Sequence, residues 1–258
     1  MRKSIVLLLM TFGLYAQQTE QKEQIECAPV QHFTIGPRYI RANVKPNGFP
    51  SLQGNLWGMQ GMYEYKPSNF VYGGLALDWA YGRVHAGNGK RSILDVNVHE
   101  RLGYTLGFWN HDFLLTFFTG FGYRHLSHGV RYNNFSAIDL RYNHFYVPVG
   151  IMTHYQINDW FDIGGNVTWR GQVFSSVYIS PIGGAYWKIQ KKFVNFLVEL
   201  PLTFLVERER KLSIGFKPFF EFWQDGRTTG RSPSGISLDL PKNSYVNWGG
   251  ELNLKASF

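Results

Sequence analysis

The chain has 258 residues, with 26 Lys and Arg against 18 Asp and Glu, 28 Gly and 17% aromatic residues. Its one cysteine, Cys27, excludes an internal disulfide framework. The formal charge of +8 comes without a basic helix or an aromatic-and-basic platform, which argues against a nucleic-acid partner.

The first sixteen residues read as an export signal. Met1, Arg2 and Lys3 precede an apolar run from Ile5 to Tyr15, and Ala16 offers a small residue at the cut. Residues 17–31 then form a polar periplasmic lead, and residues 32–258 form the folded domain. Gln24, Ile25 and Glu26 do not make the apolar cut site that lipid attachment at Cys27 would need, so Cys27 is read as incidental. After Ala16 no eighteen consecutive apolar residues occur, so no transmembrane helix is expected. Phe193 to Val206 comes nearest, but Asn195, Glu199 and Pro201 share one parity, as on a strand facing a polar interior.

Segments of period two bounded by turn residues predict ten strands: Phe33–Val44, Asn55–Tyr65, Phe70–Val84, Ser92–Tyr104, Asp112–His125, Arg141–Ile157, Trp160–Phe174, Phe193–Glu207, Lys211–Trp223 and Ser244–Phe258. Short links (Lys66–Asn69, Leu106–His111, Asn158–Asp159, Arg208–Arg210) alternate with generally longer ones, as periplasmic turns and outer loops do in a membrane barrel. The expected fold is an all-β, closed antiparallel transmembrane β-barrel of about ten strands. Eight or twelve remain alternatives, because Ser175–Lys192 has room for a further pair.

Parity assigns the faces. In the sixth strand Phe145, Val147, Val149, Ile151 and Tyr155 point to lipid, while Tyr142, His144, Tyr146, His154 and Gln156 point inward. The inward charges include Arg38, Glu64, Asp78, Asp95, Arg101, Asp162, Arg170, Glu199, Lys217, Glu221, Glu251 and Lys255. A ten-stranded barrel is narrow enough for side chains to fill it, so these groups read first as structural ion pairs and second as a polar pathway. The predicted lumen network centres on Arg170, Glu199, Lys217, Glu221, Glu251 and Lys255, and a general-diffusion pore is disfavoured. Tyr63, Tyr65, Tyr104, Phe108, Trp109, Tyr155, Trp160 and Phe161 predict one aromatic girdle; Trp79, Tyr81, Tyr123 and Trp169 predict the other. Glu100 breaks the pattern by pointing to lipid, which suggests a bulge or a one-residue shift there.

Basic residues gather in the long loops, at Lys90, Arg91, Arg131, Lys188, Lys191, Lys192, Arg227, Arg231 and Lys242. On the outer side they would attract lipopolysaccharide phosphates or another partner, or form a plain solvated surface. Export also implies periplasmic chaperones and the barrel-assembly machinery as partners during biogenesis. No cofactor or metal is expected: His125 and His128 lack an evident third ligand. His99, His144 and His154 read as hydrogen-bonded lumen residues.

One constellation carries possible chemistry. His125 and Ser127 share the outward parity of Phe121 and Tyr123 where the fifth strand leaves the membrane, and Asp139 lies across the hairpin on the same parity. A hydroxyl nucleophile, an imidazole base and an orienting carboxylate are the parts of an esterase. The stretch resembles the His-x-Ser motif of outer-membrane lipid A deacylases. That resemblance implies catalytic roles for His125 as base, Ser127 as nucleophile and Asp139 as orienter; it departs from the family in having His128 after the serine and Asp for the usual Glu. Outer-membrane proteases with ten strands use Asp and His pairs at the outer rim, and no Asp-x-Asp or Asp-x-His pair lies in an outer loop here.

The last strand alternates almost without error. Val246, Trp248, Gly250, Leu252, Leu254, Ala256 and Phe258 lie on one face, and polar residues or glycine lie on the other. Trp248, Leu252, Leu254 and the final Phe258 mark it as the membrane-closing strand. This ending resembles that of Gram-negative outer-membrane β-barrel proteins and implies residence in the outer membrane. The function predicted is that of an integral surface protein with a side-chain-filled lumen. The alternative is a lipid A deacylase-like hydrolase.

Overall fold

The computed structural model describes residues 30–258 apart from 87–88, 110–111, 133–135, 181–185, 207–210, 230–234 and 236–238. The expected signal peptide and Cys27 therefore lie outside the described residues. The strands are β1 (Gln31–Pro46), β2 (Leu52–Tyr65), β3 (Phe70–Ala86), β4 (Gly89–Phe108), β5 (Phe113–Tyr132), β6 (Ser136–Asn158), β7 (Phe161–Ser180), β8 (Tyr186–Ile189), β9 (Phe196–Glu199), β10 (Leu202–Leu205), β11 (Leu212–Asp225), β12 (Thr228–Thr229) and β13 (Asn243–Ser257).

These make ten staves. β8, β9 and β10 all run antiparallel to β7 and form one broken stave; β12 pairs with β8 and prolongs β11. Every other strand pairs antiparallel with its sequence neighbours, and β13 pairs with both β11 and β1 to shut the barrel. The seam is sealed at its periplasmic end, where Gln31 and Phe258 each donate a backbone N–H to the other's carbonyl at 3.0 Å. Closure removes the unpaired edge that hydrocarbon would not tolerate.

The eighth stave breaks for identifiable reasons. Pro201, between β9 and β10, has no N–H to give a ladder. Between β8 and β9 the fully buried Asn195 side chain substitutes for the backbone: its amide donates to the carbonyls of Lys192 and Arg170, and its oxygen accepts from the Gln224 N–H at 2.8 Å.

Alternation gives the barrel two solvents. Leu75, Leu77, Leu102, Phe117, Phe121, Val149, Ile151, Val167, Leu200, Ile214, Leu252 and Leu254 all stand exposed on the outer wall. A continuous apolar belt of this kind is not found on water-soluble monomers. Tyr63, Tyr104, Phe108, Trp109, Tyr155 and Trp160 border it below; Trp57, Trp79, Tyr81, Trp169 and Trp248 border it above. About 9–11 residues of a tilted strand suffice to cross the belt. β5, β6 and β7 have 20, 23 and 20 residues, so their outer halves stand above it.

Three expectations change. The patterning ends the fifth strand at His125 and starts the sixth at Arg141, yet β5 and β6 stay paired from Leu126↔Tyr142 to Tyr132↔Ser136. The eighth stave begins at Tyr186 rather than Phe193, so the residues between Ser175 and Lys192 lengthen two staves instead of adding a pair. Glu100 sits in regular register between Leu75 and Phe121, with neither bulge nor shift, and is exposed outward. It lies one pleat below the Val98↔Tyr123 level of the upper girdle, within reach of the interface for a long side chain.

Inside, glycine and aromatic residues interlock. A Cβ on Gly122 would fall 2.1 Å from the Tyr146 ring, whose hydroxyl donates to Asn97 at 2.7 Å. Gly122→Ala is expected to displace that ring and cost about 1–3 kcal/mol. Gly73→Ala, with open space at its Cβ, should cost much less. Urea unfolding followed by the gel-mobility shift of the folded barrel checks the pair, and equal midpoints would refute the interlock.

Candidate functional site

The outward motif forms two separate pairs. Ser127 donates its hydroxyl to Asp139 at 2.7 Å, and Arg141 holds the other oxygen of Asp139 at 2.7 Å. His125 instead places Nδ1 2.8 Å from Asn143 Oδ1, which also accepts from Tyr123 at 2.7 Å. Ser127 and Asp139 are thus brought together, while the imidazole is engaged with an amide rather than set between them. Burial works to raise the Asp139 carboxyl, but the Ser127 and Arg141 donors outweigh it and hold it below the usual carboxylate range. The serine hydroxyl faces an ionised carboxylate, with no imidazole in line to take its proton.

His128 lies on the other face of β5. It is 2% exposed, with Nε2 3.1 Å from the Tyr245 hydroxyl inside the barrel. His125 and His128 therefore cannot share a metal, and among the described residues no trio of potential ligands gathers.

The lumen holds the larger constellation. Arg124, 1% exposed, forks onto Asp95 (Nε–Oδ1 3.0 Å, Nη2–Oδ2 2.6 Å) and onto Glu221 (Nη1–Oε1 3.0 Å, Nη2–Oε2 2.8 Å). Glu221 also accepts from Arg170 at 2.6 Å and from Asn247 at 2.9 Å. A second knot links Arg38 to Asp78 at 3.0 Å and Glu251 at 3.4 Å, and Lys217 to Glu251 at 2.8 Å and Glu199 at 2.9 Å. Asn97 donates to Asp78 and accepts from Tyr146, and Gln60 joins Lys217 to Asn253. With these residues, every one of the ten staves contributes a polar group to one layer.

Of the six lumen residues singled out from the sequence, Arg170, Glu199, Lys217, Glu221 and Glu251 enter this layer. Lys255 does not: it lines the cavity beneath. Arg124, the hub, escaped the sequence reading although its parity opposes that of Tyr123 and His125.

Above the ionic layer the lumen is filled mainly by apolar and aromatic side chains. Ile40, Leu56, Val84, Ile93, Leu126, Val177, Trp187 and Trp223 form one buried cluster. Embedded in it, Ser175 lies 3.0 Å from His144 Nδ1, and His144 Nε2 lies 2.9 Å from Asp225. Asp225 further accepts from Trp223 and Tyr245. These are the residue types of a hydrolytic triad, but all three are at most 3% exposed and line neither the cavity of about 100 Å³ beneath the ionic layer nor that of about 10 Å³ within it. A β-bulge creates the arrangement: the register shifts between Phe145 and Tyr146, so Gln172 and Ser175, of opposite parity, both face inward.

On the outer wall a polar row crowns the aromatic girdle. Register places Arg41, Asn55 and Arg83 side by side on β1, β2 and β3, directly above Tyr39, Trp57 and Tyr81. Arg41 donates to Asn55 at 2.9 Å, and the Tyr39 hydroxyl donates to the same oxygen at 3.1 Å. Arg83 is exposed and is in no ion pair among the described residues. The loop cations named from the sequence are partly visible: Arg227 is paired with Asp239 at 2.6 Å, while Arg231 and the Arg131 side chain lie outside the described residues.

No family model matches the chain, and no curated protein matches it in sequence. Solved structures do. The outer membrane protease OmpT from Escherichia coli superposes with a TM-score of 0.62 at 12% identity, covering 93% of this chain and 100% of that one. The translocator domain of autotransporter NalP from Neisseria meningitidis gives a TM-score of 0.49 at 8% identity, covering 98% of this chain and 96% of that one. The outer membrane protein OprG from Pseudomonas aeruginosa gives 0.42 at 12% identity, with coverage of 91% and 99%. The OmpT likeness spans both chains, and at this identity it speaks for the fold alone: a closed outer-membrane-type β-barrel.

Proposed function

We propose that this chain is an integral barrel of the cell outer membrane whose lumen is filled and whose outer rim holds lipopolysaccharide. The observation that carries this is the Arg41–Asn55–Arg83 row seated one pleat above the Tyr39–Trp57–Tyr81 row. Aromatic rings sit at the head-group level of a bilayer, so cations immediately above them stand at the depth of lipid A phosphates. Lys90, on β4 beside β3, is exposed and extends the positive charge above the row. Reaching the outer membrane requires removal of the leader and delivery by periplasmic chaperones to the barrel-assembly machinery.

Exposed charge contacts are individually weak, roughly 0.5–1 kcal/mol each. Arg41→Gln with Arg83→Gln is therefore expected to lower affinity for lipopolysaccharide about tenfold. The check is binding to nanodiscs that contain lipopolysaccharide, against discs of phosphatidylethanolamine alone; unchanged affinity in the double variant would sink the proposal.

The geometry at Ser127 supports a structural role for the rim motif. Purified barrel incubated with lipopolysaccharide should release no fatty acid, and Ser127→Ala should match wild type. Ester cleavage present in wild type and absent from the variant would establish the hydrolase instead.

A further inference from the structure

Beneath the ionic layer lies a cavity of about 100 Å³. Its lower wall includes Lys66, in the first periplasmic turn, and Lys255, paired in register with Thr34 at the same end of the barrel, so it opens toward the periplasm. Its roof is Lys217 with Glu199, already neutralised by their 2.9 Å contact. Of the other charges, Lys66, Lys255 and Arg101 line the cavity with Glu64, which accepts from the Tyr72 hydroxyl at 2.8 Å, and the buried Asp162 stands close enough to act on both lysines.

Three cations thus face two carboxylates, Glu64 and Asp162, beyond the roof pair. Neither Lys66 nor Lys255 is in an ion pair among the described residues. Arg101 is 5% exposed, stacks its guanidinium 4.9 Å from the Phe118 centroid, and keeps a buried Nε with no partner. Burial pushes the Lys66 ammonium down to about 8, with Glu64 and Asp162 opposing the fall and the Lys255 charge adding to it. Two ammoniums and a guanidinium converging on an enclosed space are stabilised by an anion between them. Met62, Met152 and Phe216 complete the walls with apolar atoms, and the volume admits a group the size of a phosphate.

We propose that this cup is a binding site for a small oxyanion entering from the periplasm, held by Lys66, Lys255 and Arg101. The filled lumen above makes it a dead end, so the site binds rather than conducts. It is independent of the outer rim: loss of lipopolysaccharide binding would leave it intact.

The experiment is calorimetric titration of the full barrel in a non-ionic detergent with inorganic phosphate, and with chloride at matched ionic strength. Saturable phosphate binding is expected, weakened about tenfold by Lys255→Gln or Lys66→Gln, as loss of one charged hydrogen bond gives, and abolished by both together. Lys255→Arg should retain binding, and Glu100→Gln, on the outer wall, should leave it unchanged. Gel mobility confirms that each variant is folded. If a variant fails to fold, phosphorus-31 line broadening of phosphate by wild-type barrel, reversed by competing sulfate but not chloride, decides the matter. Absence of saturable binding, or binding undiminished in the folded double variant, overturns the proposal.

Discussion

Arg124→Ala is expected to lose about 3–5 kcal/mol of stability and to unfold at a clearly lower urea concentration than wild type. The size follows from what stays behind. Arg124 is the bidentate partner of both Asp95 and Glu221, and Glu221 keeps only Arg170 and Asn247 once the fork is gone. Asp95, 8% exposed, has no other ion pair among the described residues. An unpaired buried carboxylate is far more costly than an unmade surface contact. Arg124→Lys should recover little, because an ammonium cannot present two parallel N–H edges to two carboxylates at once. Arg41→Ala, which touches only exposed amides, is the control and should change stability by less than about 0.5 kcal/mol. A cost below about 1 kcal/mol for Arg124→Ala would mean that the layer is hydrated and not the structural knot described above.

Much of this architecture could be read from the sequence because a membrane barrel asks each strand to satisfy two solvents. Phe145, Val149 and Ile151 face out and Tyr142, His144 and Tyr146 face in, as their spacing requires. Parity failed where the backbone departed from it. The extra residue opposite Phe145 and Tyr146 reverses the facing of β7 beyond Gln172, so alternation stops at Phe174 although the strand runs on to Ser180. The start of the eighth stave was hidden because its pairing there is discontinuous, bridged by the Asn195 side chain and interrupted by Pro201. Arg124 was legible in principle, since it alternates with Tyr123 and His125. Pairings such as Arg124 with Glu221, 97 residues apart, depend on barrel closure and register, which alternation alone does not supply.

Trp223→Ala should destabilise the barrel by about 3–5 kcal/mol and still give no steady conductance in a planar bilayer. Trp223 is fully buried; its Nε1 donates to Asp225 at 2.9 Å, its ring meets those of His144 and Tyr146 edge-on at 5.2 and 5.7 Å, and the Arg124 guanidinium lies 4.8 Å from its centroid. Truncation therefore empties the middle of the aromatic plug and strips Asp225 of a donor. An open path would nevertheless require a breach of the ionic layer below, where Arg38, Arg124, Arg170 and Lys217 are locked to carboxylates of other staves and Arg124 reaches across the lumen to Glu221. The two seals lie in series, so opening one leaves ions facing the other, and current should remain at baseline in wild type and variant alike. A stable open level in wild type would contradict the filled lumen outright. One that arises only on removing Trp223 would transfer the sealing role from the ion pairs to the aromatic cluster.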